Sequence, residues 1–269
     1  MDKPYEVRPQ GVSYFAEIDY KEACLPADWG FLQRIFCQAL EEDGFNILSM
    51  SNRSLSPNGF LVAAVLGESH ASLSVRKAGN SLQFVLSSCR SVVDGPKTGE
   101  YLANLFGCSV IHTSHSVIRD IQKPKKFILG NTETREVCLD LCSEKFLIGD
   151  MYGIDRKNFL DNHAYLKSLL LRAVRGEERN PPIVEYEFPG QGYTLILALD
   201  SFVVALHTYP EMNSREGTGT LQLDLYGNGG VHIHEEVFQK VKRALRPECV
   251  RVTRLAQRKT ADDNPPKRA

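Results

Sequence analysis

The apolar positions follow two rhythms that succeed one another along the chain. Val12 to Ile18 alternates apolar and polar residues, the period of a strand covered on one face. WGFLQRIFCQALEEDG (29–44) spaces its apolar residues three and four apart and meets Gly44, which predicts a helix with one buried stripe and a glycine stop. GFLVAAVLGESHASLSV (59–75) and NSLQFVLSSC (80–89) read as strands, EYLANLFG (100–107) as a helix and CSVIHTSHSVI (108–118) as a strand. The plan then repeats. EVCLDLCS (136–143) opens a second half, NFLDNHAYLKSLLLRAVRG (158–176) predicts a helix, and GYTLILALDSFVVALHTY (192–209) and TLQLDLYG (220–227) predict strands. EEVFQKVKRAL (235–245) predicts a helix and CVRVTRLA (249–256) a last strand.

Each half is therefore strand, helix, strands, helix, strand. The expected class is α+β: a duplicated α/β sandwich of two antiparallel sheets with helices on their outer faces. The strands align without gaps at an offset of 133 (192 − 59), which carries Gly59 onto Gly192, Leu61 onto Thr194 and Ser74 onto His207. The expected organisation is an N-terminal half over 1–122, a linker over 123–134, a C-terminal half over 135–256 and a disordered, charged, proline-containing tail over 257–269.

Composition narrows the function classes. The chain has 269 residues, a formal net charge of -1 and 42% hydrophobic residues. That balance gives no electrostatic reason to expect nucleic acid or an anionic membrane as partner. No apolar run approaches the roughly 20 residues of a membrane-spanning helix, and the opening MDKPYEVRPQ has no apolar signal core. A cytoplasmic protein is expected. The seven cysteines are odd in number and no pair has CxxC spacing, so neither a disulfide framework nor a structural zinc site is expected. His232 and His234 in GVHIHEE, like His112 and His115, are read as residues of a solvated strand or cap, and the expected metal complement is none.

The chemical signal is the triplet Glu68-Ser69-His70, where an apolar run turns polar. On the residues alone it reads first as an exposed strand end. GESHASLSV, however, resembles the self-processing site of the S-adenosylmethionine decarboxylases, where the chain is cut between the Glu and the Ser. The resemblance implies that the Ser69 hydroxyl attacks the Glu68 carbonyl, that elimination splits the ester, and that Ser69 becomes a pyruvoyl cofactor. A hydroxyl needs a base for that step. The resulting ketone can accept an amine substrate and the electrons of a departing carboxylate. Cys89, twenty residues after Ser69 (89 − 69), stands where the family places its proton donor.

Five residues after Ser69, the position of the processing histidine in the short enzymes of the family, stands Ser74. The second half holds the histidine instead: His207 in ALHTYPE resembles the HTWPE-type motif. Phe202 and Asn228 there occupy the places of the cleaved Ser and the Cys. The complementary losses resemble the fused, eukaryotic-type arrangement, in which the first half supplies Ser69 and Cys89 and the second supplies the base. By the same resemblance Thr194 replaces the usual Ser that works with the histidine, Glu211 would hold the ribose hydroxyls, and Phe188 and Phe15 would sandwich adenine. Glu17 would lie near the substrate amine or sulfonium. The implied activity is decarboxylation of S-adenosylmethionine for spermidine synthesis, with that small molecule as the partner and a homodimer as an assembly left open. Two other readings stand beside it: a pyruvoyl enzyme acting on ornithine or arginine, and a non-catalytic paralogue that activates a partner decarboxylase.

Overall fold

The computed structural model describes residues 10–19, 28–55, 59–67, 69–76, 81–88, 98–105, 112–120, 132–139, 145–176, 180–190, 192–210, 217–227 and 230–257. The first sheet contains β1 (Gln10–Asp19), β2 (Ile47–Leu55), β3 (Gly59–Leu66), β4 (Ser69–Arg76), β5 (Ser81–Ser88) and β6 (His112–Asp120). Their order is β2-β3-β4-β5-β1-β6, with antiparallel pairs throughout. The second sheet contains β7 (Thr132–Leu139), β8 (Lys145–Asp155), β9 (Ile183–Phe188), β10 (Gly192–Ala198), β11 (Phe202–Tyr209), β12 (Thr218–Gly227) and β13 (Cys249–Gln257). Its order is β7-β13-β8-β12-β11-β10-β9, antiparallel except for the β7–β13 pair. Read from the β2 and β9 edges, the two orders are the same plan, with β7 added.

Among the described residues four helices cover the outer faces. α1 (Trp29–Glu42) starts where the Asp28 carboxylate accepts a hydrogen bond from the Gly30 amide at 2.8 Å and stops before Gly44, whose φ of 79° belongs to the left-handed region. Its buried stripe is Leu32, Ile35, Phe36, Ala39 and Leu40, and with α2 (Thr98–Leu105) it packs on the first sheet. α3 (His163–Ala173) and α4 (Gly230–Leu245) pack on the second sheet in the same way. A third core, including Phe15, Val65, Val85, Phe146, Ile196 and Ala205, lies between the sheets. The layers run helix, sheet, sheet, helix, the expected sandwich, and each sheet is covered on both faces. Among the described residues no helix is long and apolar enough to cross a membrane.

Several local expectations need correction. β2, β8 and β9 escaped the sequence reading. β2 and β9 are edge strands with mixed burial, and β8 is interrupted by two glycines. β7 begins at Thr132, inside the stretch read as linker, because its ladder partner β13 extends that far. Residues 158–176 do not form one helix: a π-turn over Arg156–Leu160 ends at Asp161, and α3 starts afresh with the Asn162 side chain accepting from the Tyr165 amide. His232 and His234 lie in α4, not on a strand. Two residues apart on a helix they point to nearly opposite sides, so His232 is exposed while His234 is buried with its ring 5.2 Å from Phe202.

Candidate functional site

The site is assembled by strand alternation. On β11, Leu206 and Thr208 face one way and His207 the other, toward the first sheet, where Val203 and Ala205 join the core between the sheets. The β10–β11 register sets Thr194 directly opposite His207, and the β11–β12 register sets Gln222 opposite it on the other side. The Thr194 hydroxyl therefore lies 2.8 Å from His207 Nδ1. From the first sheet, His70 brings its Nδ1 to 2.6 Å from His207 Nε2, with the rings stacked 4.6 Å apart. His70, His207 and Thr194 are all buried.

Behind this pair a polar row crosses between the sheets. Gln222 donates to the Asp224 carboxylate at 2.9 Å and to the Ser87 hydroxyl at 3.3 Å, and Ser87 meets Ser13 at 3.3 Å. Asp150, opposite Gln222 on β8, is buried as well. A ligand atom each from His70, His207 and Asp224 falls within 4.8 Å of the others. Both ring nitrogens of His207 are thus engaged. In the His70–His207 contact one nitrogen carries a proton and the other presents a lone pair. Such a pair, enclosed between two sheets, can accept a proton from a neighbouring group and hand it on.

The expected site residues divide into three groups. The structure joins Thr194 to His207. It sets Ser69 at the first position of β4, next in the chain to His70 and directly across from Ser88 of β5. Glu17 lies on β1, opposite Gln83. Both aromatics belong to the core between the sheets or pack against it: Phe15 is 3% exposed and meets Phe146 edge-on at 4.4 Å, and Phe188, half-buried at the end of β9, meets Tyr186 edge-on at 4.9 Å. Glu68, Cys89 and Glu211 lie outside the described residues. Sequence reasoning singled out His70 only as a neighbour of Ser69 and gave no role to Gln222, Asp224 or Asp150. A broad groove on the outer surface of α3, lined by Lys167, Arg172, Arg175 and Asn180, holds none of the residues of the site.

Comparison with known proteins bears on the second half. Residues 145–258, from β8 through β13, match the family model of S-adenosylmethionine decarboxylase. A comparison with curated proteins finds no match. Among solved structures, the adenosylmethionine decarboxylase of Aquifex aeolicus VF5 is 21% identical, with 46% of this chain and 97% of that chain covered and a TM-score of 0.37. A protein of unknown function from Galdieria sulphuraria is 10% identical, with coverages of 91% and 97% and a TM-score of 0.22. A mutant chlorite dismutase of Candidatus Nitrospira defluvii is 11% identical, with coverages of 87% and 83% and a TM-score of 0.26.

Proposed function

We propose that this chain cuts itself between Glu68 and Ser69, that Ser69 becomes a pyruvoyl group, and that the mature protein decarboxylates S-adenosylmethionine to supply the aminopropyl donor for spermidine synthesis. The observation that carries the reading is the contact of His207, held by Thr194 in one half, with His70, the neighbour of Ser69 in the other. The family match over residues 145–258 supports the same chemistry from the half that holds the histidine.

The cut balances as follows. The Ser69 oxygen bonds to the Glu68 carbonyl carbon and the Glu68–Ser69 C–N bond breaks, giving an ester and a free Ser69 amine. His207 takes the Ser69 α-proton, the bond from the Ser69 Cβ to the ester oxygen breaks, and Glu68 leaves as a carboxylate, so that residue 69 becomes an enamine. A proton moves onto the former Cβ to give a methyl group and an imine, and water hydrolyses the imine to a ketone with release of ammonia. Thr194 fixes the orientation and tautomer of the base throughout, as a hydrogen-bonded partner does for a catalytic imidazole.

Ser69 starts β4, and its chain neighbour His70 is fully buried under a second sheet that supplies buried polar side chains. A pyruvoyl ketone supplies the electrophile and electron sink that amino-acid decarboxylation requires. Cys89, one residue beyond Ser88, is assigned the proton donor. Phe188, the half-exposed ring, is assigned to adenine with Phe15 as the deeper wall of the site, Glu211 to the ribose and Glu17 to the substrate cation.

Intact-mass measurement of the purified full chain tests the cut. Two fragments, 1–68 and 69–269 with a ketone at the new N-terminus, are expected, and Ser69→Ala stays whole. A single uncut chain with serine at 69 overturns the proposal. Release of labelled carbon dioxide from S-adenosylmethionine, ornithine and arginine in parallel then tests the substrate, and release from either small amino acid alone overturns the adenosyl assignment.

A further inference from the structure

We propose that His70, His207 and Asp224 form a binding site for one divalent transition-metal ion of the zinc or cobalt type, and that the ion, when bound, silences His207. Binding stands independently of the activity proposed above. The silencing rests on that activity.

The three side chains come from β4, β11 and β12, and thus from both sheets. They offer two imidazole nitrogens and a carboxylate oxygen, a donor set that suits borderline divalent ions and leaves coordination positions open. All three are buried, so the ligands are held by packing rather than gathered from mobile surface chains. With metal–ligand bonds of about 2.0 to 2.1 Å, tetrahedral ligands stand about 3.3 Å apart. His70 Nδ1 and His207 Nε2, now 2.6 Å apart, must part by about 0.7 Å, and the Asp224 oxygen must close in from within 4.8 Å.

The outer partners of two ligands already suit a metal. Thr194 lies at His207 Nδ1, so the imidazole proton can rest there and leave the Nε2 lone pair for the ion. Gln222 donates to Asp224 Oδ2 at 2.9 Å and so helps fix the orientation of the carboxylate. Ligands oriented in this way by hydrogen bonds are characteristic of metal sites. The buried carboxylate also supplies negative charge that a dication needs. A metal on Nε2 takes the lone pair that His207 needs as a base, so occupied chain cannot mature.

The test uses metal-stripped full chain and Co2+ or Zn2+ alone. One equivalent is expected per chain by equilibrium dialysis, with a visible Co2+ spectrum of low coordination number. X-ray absorption of the Zn2+-loaded wild-type chain is expected to show two imidazoles and oxygen donors, a readout that requires no variant. His70→Gln and Asp224→Asn are expected to weaken binding by about 10²-fold or more and Thr194→Val by about 10-fold, while exposed His232→Gln leaves it unchanged. No stoichiometric binding, a zinc shell without two imidazoles, or binding indifferent to His70→Gln and Asp224→Asn overturns the site. Maturation separates the two proposals. A chain that binds zinc through two imidazoles yet never cuts keeps the site and loses the activity. A chain that cuts equally fast with zinc bound loses the silencing, and one that cuts but binds no ion loses the site alone.

Discussion

The space between the sheets has two ends, related by the 133-residue offset, and they have kept different things. Gly59 and Gly192 correspond (192 − 59 = 133), and so do Val75 and Thr208 (208 − 75 = 133). A Cβ on Gly59 would stand 2.8 Å from the Val75 carbonyl oxygen, and one on Gly192 would stand closer still to the Thr208 carbonyl oxygen. The same backbone approach requires glycine in both halves. The chemistry is not shared. Where one end pairs Thr194 with His207, the other pairs Leu61 with Ser74, and the positions matching Ser69 and His70 are Phe202 and Val203. That second end is a small cavity lined by Leu61, Ser72, Ser74, Gln83, Phe202 and Val203. Arg53 of β2 also ties the two halves together, pairing with Asp200 at 2.7 Å and donating to the Ala198 carbonyl. Residues fixed by backbone geometry recur in both halves, whereas residues fixed by chemistry occur once.

The largest effect is expected from exchanging the ends. His207→Ala should slow the cut at Ser69 by about 10²-fold or more, the scale of losing a positioned base. Chain stalled at the ester should then be cut by hydroxylamine. Ser74→Ala should mature like wild type. Ser74→His restores an imidazole at the silent end and should give no second cut, because residue 202 offers no hydroxyl. A time course of intact mass reads all three, and normal maturation of His207→Ala would remove the second half from the chemistry.

Next come the glycines. Gly192→Ala forces a side chain onto a φ of 138° and against the carbonyl of Thr208, so a loss of about 2 to 3 kcal/mol is expected; Gly59→Ala meets only the contact, and about 1 kcal/mol is expected. Urea denaturation measures both. Thr208 is adjacent to His207, so Gly192→Ala should also slow maturation and Gly59→Ala should not. Equal effects of the two variants on maturation would break the distinction between the ends.

These comparisons also explain what was legible in the sequence. The long apolar strands β3, β10 and β11 and the amphipathic helices announce themselves by period, and the offset follows from them. Of the candidate site, the motifs marked His207 and Thr194, which the structure sets 2.8 Å apart, and Ser69, the chain neighbour of His70. Gln222 and Asp224 were hidden because β12 alternates: Leu221, Leu223 and Leu225 enter the core under the helices, and the intervening polar residues read as a solvated face. His70, Ser72 and Ser74 alternate with Ala71, Leu73 and Val75 on β4 in the same way. In a sandwich of four layers that polar face is covered by the other sheet. The contact of His70 with His207 spans 137 residues, and no local pattern encodes it.

A smaller effect is expected at Thr194. Thr194→Val keeps shape but removes the hydroxyl at His207 Nδ1. The loss of one such bond, about 1 kcal/mol, should slow maturation by several-fold to about 10-fold with little change in the urea midpoint. Thr194→Ser should retain the rate. A rate unchanged in Thr194→Val would show that the packing between the sheets, rather than the hydroxyl, orients the imidazole.

The smallest effect concerns how each half ties its first helix to its edge strand. In the first half the tie is neutral: Asn52 of β2 donates to Gln33 of α1 at 2.5 Å. In the second half it is charged: Lys167 of α3 meets Glu185 of β9 at 2.6 Å, and the Tyr193 hydroxyl donates to the same carboxylate at 2.5 Å. Partial burial raises the Glu185 carboxyl, but the hydrogen bonds from Lys167 and Tyr193 and the charge of Lys167 outweigh it, and the net shift is downward. Burial, then the hydrogen bond to Glu185, drives the Tyr193 hydroxyl strongly upward, so it remains a donor. A carboxyl lowered in the folded state stabilises the fold above its unfolded pKa, and that contribution is lost as pH falls through the folded value. The two side chains are 35% and 41% exposed, so solvent screening reduces the contribution to a few tenths of a kcal/mol. Lys167→Met should therefore lower the urea midpoint slightly at neutral pH and not below the carboxylate range, whereas Gln33→Leu should have the same effect at every pH. A Lys167→Met deficit that persists undiminished into acid would show that the lysine acts through its aliphatic stem, and that the two halves are tied alike.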